Sequence, residues 1–331
     1  MGFFRRLAFC SSGRRRGIAL ALAAALLACS KPQSGRADAG PGRASPAPSA
    51  AGAVPVGAAP PSRPSSLDSD VADRLAAVRH ELGPGVKTEV VGATFVFVSA
   101  DGGPLFARAV RDATRAFPLY LRGRLDHAPE RAVTVYAFSR EDRYLDDCDA
   151  RFGEPCDTPF GQYRPAGRVI EVNLARGTTT ILHEMLHPMT QRDFPLARRW
   201  LVEGLGSLYE TPSFEPPGEI HGVTNWRLPE LQRALASRAR TGEVRLERLF
   251  ATSDAAFGQP EGLLLRQATA RFVCQWLDEQ GLLWPFYRQW RDAVASDPAG
   301  EASFARVVGT TPAEASETWR AWVRGLVVPP R

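Results

Sequence analysis

A chain of 331 residues, 44% of them hydrophobic, can bury a substantial core, while its formal charge of +5 raises the question of a polyanionic partner. The arrangement of charge argues against one. Arg5, Arg6, Arg14, Arg15 and Arg16 crowd into an acid-free leader, and without them the chain is close to neutral. No nucleic-acid partner is expected. With Lys31 and Lys87 as the only lysines, the arginine bias reads as genome composition.

After that basic stretch, Gly17 to Ala28 is an unbroken run rich in Ala and Leu. It is too short for a comfortable membrane span and has the form of a signal peptide. The run ends in Leu26-Leu27-Ala28-Cys29, which resembles the bacterial lipobox. The resemblance implies removal of residues 1–28 and lipidation of Cys29, giving an exported lipoprotein of the cell envelope. Ser30 is not the aspartate associated with inner-membrane retention, so the outer membrane is favoured in a diderm cell. An anchor with several acyl chains holds far more durably than a single one. Residues 29–70 are dominated by Pro, Ala, Gly and Ser, cannot bury a core, and are expected to be a disordered tether. Residues 71–331 form the expected globular domain, of a size suited to one large core.

Within that domain, Ala93 to Ser99 reads as a buried strand, Leu105 to Leu121 as an amphipathic helix and Ala132 to Phe138 as a second strand. Cys148 and Cys156 bracket an acidic, glycine-containing loop that a disulfide could close in an oxidising compartment. Arg168 to Leu174 reads as a third strand. Were it a sheet edge, an extended peptide could add to it as an extra strand; an ordinary interior strand is the competing reading.

The next segment, Thr178-Thr-Thr-Ile-Leu-His183-Glu184-Met-Leu-His187, carries the chemistry. Residues four apart on a helix share a face, so His183 and His187 can aim both imidazoles at one point. Glu184 lies beside that point, where the general base for a metal-bound water belongs. Ile181, Leu182, Met185, Leu186 and Met189 give the helix its apolar face, and Thr178 or Thr179 is expected to cap it. Pro188 lacks an N–H and crowds the carbonyl of Glu184, so the helix should kink or end soon afterwards.

Two imidazoles leave a zinc ion short of ligands, and Glu203 in Trp200-Leu-Val-Glu203-Gly204 is the expected third, with one zinc per chain. Against that stands an ordinary solvated helix carboxylate; the unfilled coordination position favours ligation. Gly204 and Gly206 weaken this second helix by about 1 kcal/mol each relative to alanine, which close approach to the metal helix would offset. Glu210 is open between an exposed charge and an acceptor that orients a ligand histidine.

His183-Glu184-x-x-His187 with Glu203 in Trp-Leu-x-Glu-Gly-Leu-x-Ser-Leu-Tyr resembles the gluzincin metallopeptidases, in particular the bacterial peptidase MA-like proteins. The similarity runs from about Ala132 to the C-terminus. It implies an α+β, zincin-like domain: a small mixed sheet, an HExxH helix and a mainly helical C-terminal half. It also implies that His183, His187 and Glu203 bind Zn2+, that Glu184 is the catalytic base and that the substrate is a peptide or protein. For the group that stabilises the oxyanion, Tyr209 and His221 are nominees.

Beyond His221 the pattern is helical over Leu228 to Arg238, Leu263 to Glu279, Leu283 to Val294 and Pro312 to Leu326. Trp276, Trp284, Trp290, Trp319 and Trp322 read as core, and Cys274 as an inert buried thiol. Together these features predict a membrane-anchored zinc metallopeptidase. The alternative is a non-catalytic zincin-fold lipoprotein serving as a binding or structural module.

Overall fold

A computed structural model describes residues 66–156 and 158–328. The signal segment, Cys29 and most of the expected tether lie outside the described residues. The last part of that tether does not: helix α1 spans Ser66–Leu82, so folded structure begins before residue 71. Asp70 on this helix pairs with Arg131 and accepts the backbone N–H of Ala132, which docks the helix on the domain.

Next come β1 (Lys87–Val91), β2 (Phe95–Ser99), α2 (Gly103–Leu121), β3 (Val133–Phe138), α3 (Glu141–Phe152), β4 (Gly161–Arg164) and β5 (Val169–Asn173). They form a mixed five-stranded sheet in the order β1-β2-β3-β5-β4, with β2, β3 and β5 parallel and the outer two antiparallel. Side chains alternate across it, as strand geometry requires. Phe95, Phe97, Val133, Val135, Ile170 and Val172 join the main core, whereas Val96, Val98, Tyr136 and Val169 meet Val78 of α1 in a second cluster. Both faces are therefore covered, and β2 and β5 are buried along their whole length.

This placement decides between the two readings of the third strand in favour of the interior one. β5 is not an edge; it lies between β3 and β4, and β4 is the edge strand. Just before β4, Thr158 Oγ1 donates to the Gly161 carbonyl at 2.7 Å and accepts the Gly161 N–H at 3.2 Å. An added strand would have to start beyond Gly161 or displace that hydroxyl.

The chain then enters α4 (Thr180–Asp193), α5 (Arg199–Leu208) and the small hairpin β6 (Pro212–Ser213) and β7 (His221–Gly222). The remainder is helical: α6 (Leu228–Ala236), α7 (Leu246–Ala251), α8 (Asp254–Phe257), α9 (Leu263–Glu279), α10 (Leu283–Ala293), α11 (Glu301–Val308) and α12 (Pro312–Gly325). Of the five tryptophans read as core, Trp276, Trp284, Trp290 and Trp319 are buried and Trp322 packs partly buried against the same cluster. Cys274 is buried and its thiol is pushed far up by burial, which makes it inert. Cys148 and Cys156 form a disulfide that joins α3 to the segment leading into β4. Among the described residues no helix is long and apolar enough to cross a membrane.

Candidate metal centre

Helix α4 is buried almost all round, with Ile181, Leu182, Met185, Leu186 and Met189 fully enclosed. Its start departs from expectation. Thr179 occupies the N-cap but makes no side-chain cap; its hydroxyl donates instead to the Glu210 carbonyl at 2.6 Å. That bond ties α4 to the chain leaving α5. Pro188 does not end the helix, which continues to Asp193. The Asp193 carboxylate is buried there and accepts the Asp126 and His127 N–H groups and Arg291 Nη1, each at 2.9 Å. Anchored at both ends, α4 holds His183 and His187 with ring centroids 5.0 Å apart.

Helix α5 crosses close to α4 because of one glycine in particular. A Cβ on Gly206 would lie 2.8 Å from His183 Nε2 and Cδ2, so only glycine admits the imidazole there. Gly204 serves a different contact than expected: a Cβ on it would meet Cys274 Sγ at 2.8 Å and the Ala270 carbonyl at 2.9 Å, on α9. Between them the two glycines seat α5 against α9 and against the histidine.

With α5 seated, ligand atoms of His183, His187 and Glu203 all lie within 4.8 Å of one another. Donors bonded to one ion at about 2.0–2.2 Å can be separated by at most about 4.4 Å, so small rotamer shifts suffice. His183 Nε2 is already 3.8 Å from Glu203 Oε2. This mostly buried group could hold a metal ion. Two nitrogens and one carboxylate oxygen suit a borderline-soft divalent cation.

The surroundings decide how each donor behaves. His183 Nδ1 lies 3.0 Å from Glu210 Oε1, which assigns the proton to Nδ1 and leaves Nε2 as the donor toward the cluster. Of the two readings open for Glu210, the structure has the acceptor that orients His183, placed just past the end of α5. It is held by Arg227, both of whose terminal nitrogens donate to it, Nη2 at 2.9 Å. Nothing in the local sequence singles out Arg227; its partner lies 17 residues away.

Electrostatics follow from this arrangement. For Glu210, burial opposes ionisation, but the charge of Arg227 and the bond to His183 overcome it and bring the carboxyl down to about 2. For His183, burial disfavours the charged ring, while the Glu210 bond and the charges of Glu184, Glu210 and Glu203 raise it to about 9. His187, buried and beside His183, is lowered to about 4. Glu184 is raised to about 7, by burial first and then by Glu203 and Glu210, against the pull of His183. Both imidazoles must be neutral to act as ligands, so metal binding releases a proton from His183.

Glu184 itself accepts no hydrogen bond from protein among the described residues; the Nε2 of His187 lies 3.7 Å from its carboxylate. Strand β4 passes directly beside it, since a Cβ on Gly161 would sit 3.2 Å from Glu184 Cγ. Tyr163, two residues on, stacks its ring on His187 with centroids 6.4 Å apart and donates its hydroxyl to Gln191 at 3.0 Å. On its other oxygen, Glu203 faces Arg199 Nε at 3.9 Å.

The two nominees for oxyanion stabilisation are placed elsewhere. Tyr209 is fully buried against Tyr120, its hydroxyl facing Asp278, Arg124 and Trp284. His221 bonds Glu219 at 2.7 Å and approaches Asp278 at 3.5 Å. Both are engaged with the Asp278 cluster, and among the described residues no hydrogen bond or ion pair joins either of them to His183, His187 or Glu203.

No protein-family model matches this chain, and no curated protein matches it at a significant level.

Proposed function

We propose that this protein is a zinc metallopeptidase of the gluzincin type, built on a zincin-like fold and held in the bacterial cell envelope by a lipid on Cys29. The observation that carries the reading is Glu184. It is a buried carboxyl without a protein hydrogen-bond partner, beside a three-donor cluster that provides one ligand fewer than a closed structural zinc site. A buried charge left without a partner costs several kcal/mol, and a proton-carrying role accounts for its retention here.

Residues His183, His187 and Glu203 would hold the zinc. When bound, zinc supplies a Lewis acid that polarises a carbonyl and lowers the pKa of water toward neutrality. The chain's own groups do the rest. Glu210 fixes the His183 tautomer, with Arg227 fixing Glu210. Glu184, with a carboxyl raised to about 7, takes the proton of the attacking water and returns it to the leaving amine. Gly161 keeps the edge strand close to that carboxyl without filling the space in front of it.

Metal content and turnover of an unbiased peptide library, measured on wild type and Glu184→Gln, test the reading. Wild type should carry about one zinc per chain and cleave peptides. The variant should keep zinc and lose at least about a hundredfold in rate. Normal cleavage by Glu184→Gln, or absence of tight metal in chelator-free protein, defeats the proposal.

A further inference from the structure

We infer that the protein has a second binding site, separate from the metal centre, which takes a small organic anion: a phosphate or carboxylate group on a compact apolar body. A cavity of about 380 Å³ opens where β3 and β5 begin, between the turn of the β4–β5 hairpin and the end of α4. None of His183, Glu184, His187 or Glu203 lines it. Binding there needs neither the metal nor peptidase activity.

Charge selects the headgroup. Among the lining residues, the guanidinium groups of Arg131, Arg168 and Arg192 meet the single carboxylate of Glu130, which Arg192 takes up. Arg131 and Arg168 share one further carboxylate, that of Asp70, at 3.2 Å and 3.6 Å. Positive charge is therefore in excess at the cavity. The same contacts hold the two side chains in place. Arg131 donates to Asp70 through Nε and Nη2, and Arg168 Nε donates to the Ala132 carbonyl at 3.2 Å. Arg168 Nη1 has no partner among the described residues. Guanidinium groups fixed in advance lose little freedom on gripping an oxyanion, and their planar forks suit carboxylate and phosphate oxygens.

Backbone strain at Arg168 points the same way. The hairpin turn closes through the Arg168 N–H on the Pro165 carbonyl at 3.1 Å, and Arg168 has a φ of 52°, in the left-handed region. Hairpin loops of this kind usually place glycine at such a position, yet Gly167 stands one residue earlier. An arginine held in a conformation that favours glycine marks a side chain retained for what it does. Pro129, Pro165 and Pro188, with the ring of Tyr163, supply an uncharged wall beside these cations. Rigid apolar walls with a few convergent polar groups are the usual make-up of a small-molecule site. Tyr163, which also stacks on His187, is the point where this cavity borders the surroundings of the metal centre.

Calorimetry on the full chain, zinc-loaded and after chelation, tests the site with phenyl phosphate, benzoate, inorganic phosphate and benzylamine. Phenyl phosphate should bind at least about tenfold more tightly than inorganic phosphate, because the ring meets the apolar wall. Benzoate should bind and benzylamine should not. Chelation should leave these affinities unchanged. Arg168→Gly accommodates the left-handed backbone and removes the guanidinium. Arg192→Gln, in the last turn of α4, is the second variant, and thermal melts confirm that both fold. Each should weaken phenyl phosphate at least about tenfold. No binding of phenyl phosphate by wild type up to about 10 mM, or equal binding by wild type and both variants, overturns the proposal. Loss of binding on chelation would place the anion on the metal and overturn it as well. Equal affinity for inorganic and phenyl phosphate would remove the apolar wall, and with it an organic occupant.

Discussion

Arg227 and His183 hold the same carboxylate from opposite sides: Arg227 donates to Glu210 through both terminal nitrogens, and Glu210 Oε1 stands 3.0 Å from His183 Nδ1. The orientation of one imidazole of the candidate donor set thus depends on an arginine whose ion pair is with Glu210 and not with His183, His187 or Glu203. Outer partners of this kind fix the tautomer and raise the basicity of the ligand. Glu210→Gln should weaken metal affinity by about ten- to a hundredfold while leaving all three donors in place. Arg227→Met should act in the same direction, because Glu210 loses the charge that holds it. Competition against a chelating indicator measures both. Unchanged affinity in the two variants would remove Glu210 and Arg227 from the site.

The two glycines of α5 should separate metal binding from folding. In Gly206→Ala the new methyl falls 2.8 Å from His183 Nε2, so the imidazole must turn away and metal affinity should drop at least about tenfold. The cost in stability is partly offset by the higher helix propensity of alanine, about 1 kcal/mol. In Gly204→Ala the methyl instead strikes Cys274 and the Ala270 carbonyl, overpacking the α5–α9 contact. That should cost about 1–3 kcal/mol and lower Tm, with metal stoichiometry preserved. Elemental analysis beside thermal melts distinguishes the two. The reverse pattern would mean that the helix-crossing geometry described above is wrong.

The sequence made the donor set legible because helical spacing alone places His183 and His187 on one face, and the motif supplies Glu184 between them. Helix α9, from Leu263 to Glu279, and strand β3 were similarly plain, since their apolar residues follow the period of the element. Elements that bury little escaped. Helix α1 buries only Val78, and α3 only Tyr144 and Cys148, so neither shows as a helix in the sequence: residues 66–70 fall in the expected tether and residues 149–152 in the loop between Cys148 and Cys156. Strand β1 turns most of its residues to solvent. Contacts made across the fold were equally silent: Arg227 on Glu210, and Gly161 on Glu184, depend on tertiary placement that no local pattern encodes. Tyr209 and His221 were attractive from their positions in the chain, yet the fold commits both to the Asp278 cluster.

Glu203 and Glu184 are both carboxylates near the same cluster, and their variants should behave differently. Glu203→Gln replaces an anionic donor with a weak neutral one, so metal affinity and turnover should fall together. Glu184→Gln should spare the metal. Glu210 cannot take over as third ligand, because it is engaged on the Nδ1 side of His183 and by Arg227. Full metal content and full turnover in Glu203→Gln would therefore require a ligand outside the present cluster.

Asp193 offers a test of how the far end of the metal helix is held. Its carboxylate joins α4 to the segment before β3 through Asp126 and His127, and to α10 through Arg291. Burial alone would raise its pKa, but His127, Tyr287 and Arg291 facing it reverse the shift and hold it below the usual value. An acid depressed in the folded state binds fewer protons there than when unfolded. Its stabilising contribution is thus complete above the unfolded pKa of about 3.9 and is lost as pH falls through the lower folded value. Asp193→Asn keeps the shape but removes the charge, leaving Arg291 short of a buried partner, and should cost about 2–4 kcal/mol at neutral pH. Thermal melts of wild type and variant between pH 7 and about pH 2 should show a constant gap down to about pH 4 that narrows below it. A gap that stays the same into acid would show that the carboxylate's charge contributes nothing to anchoring the helix.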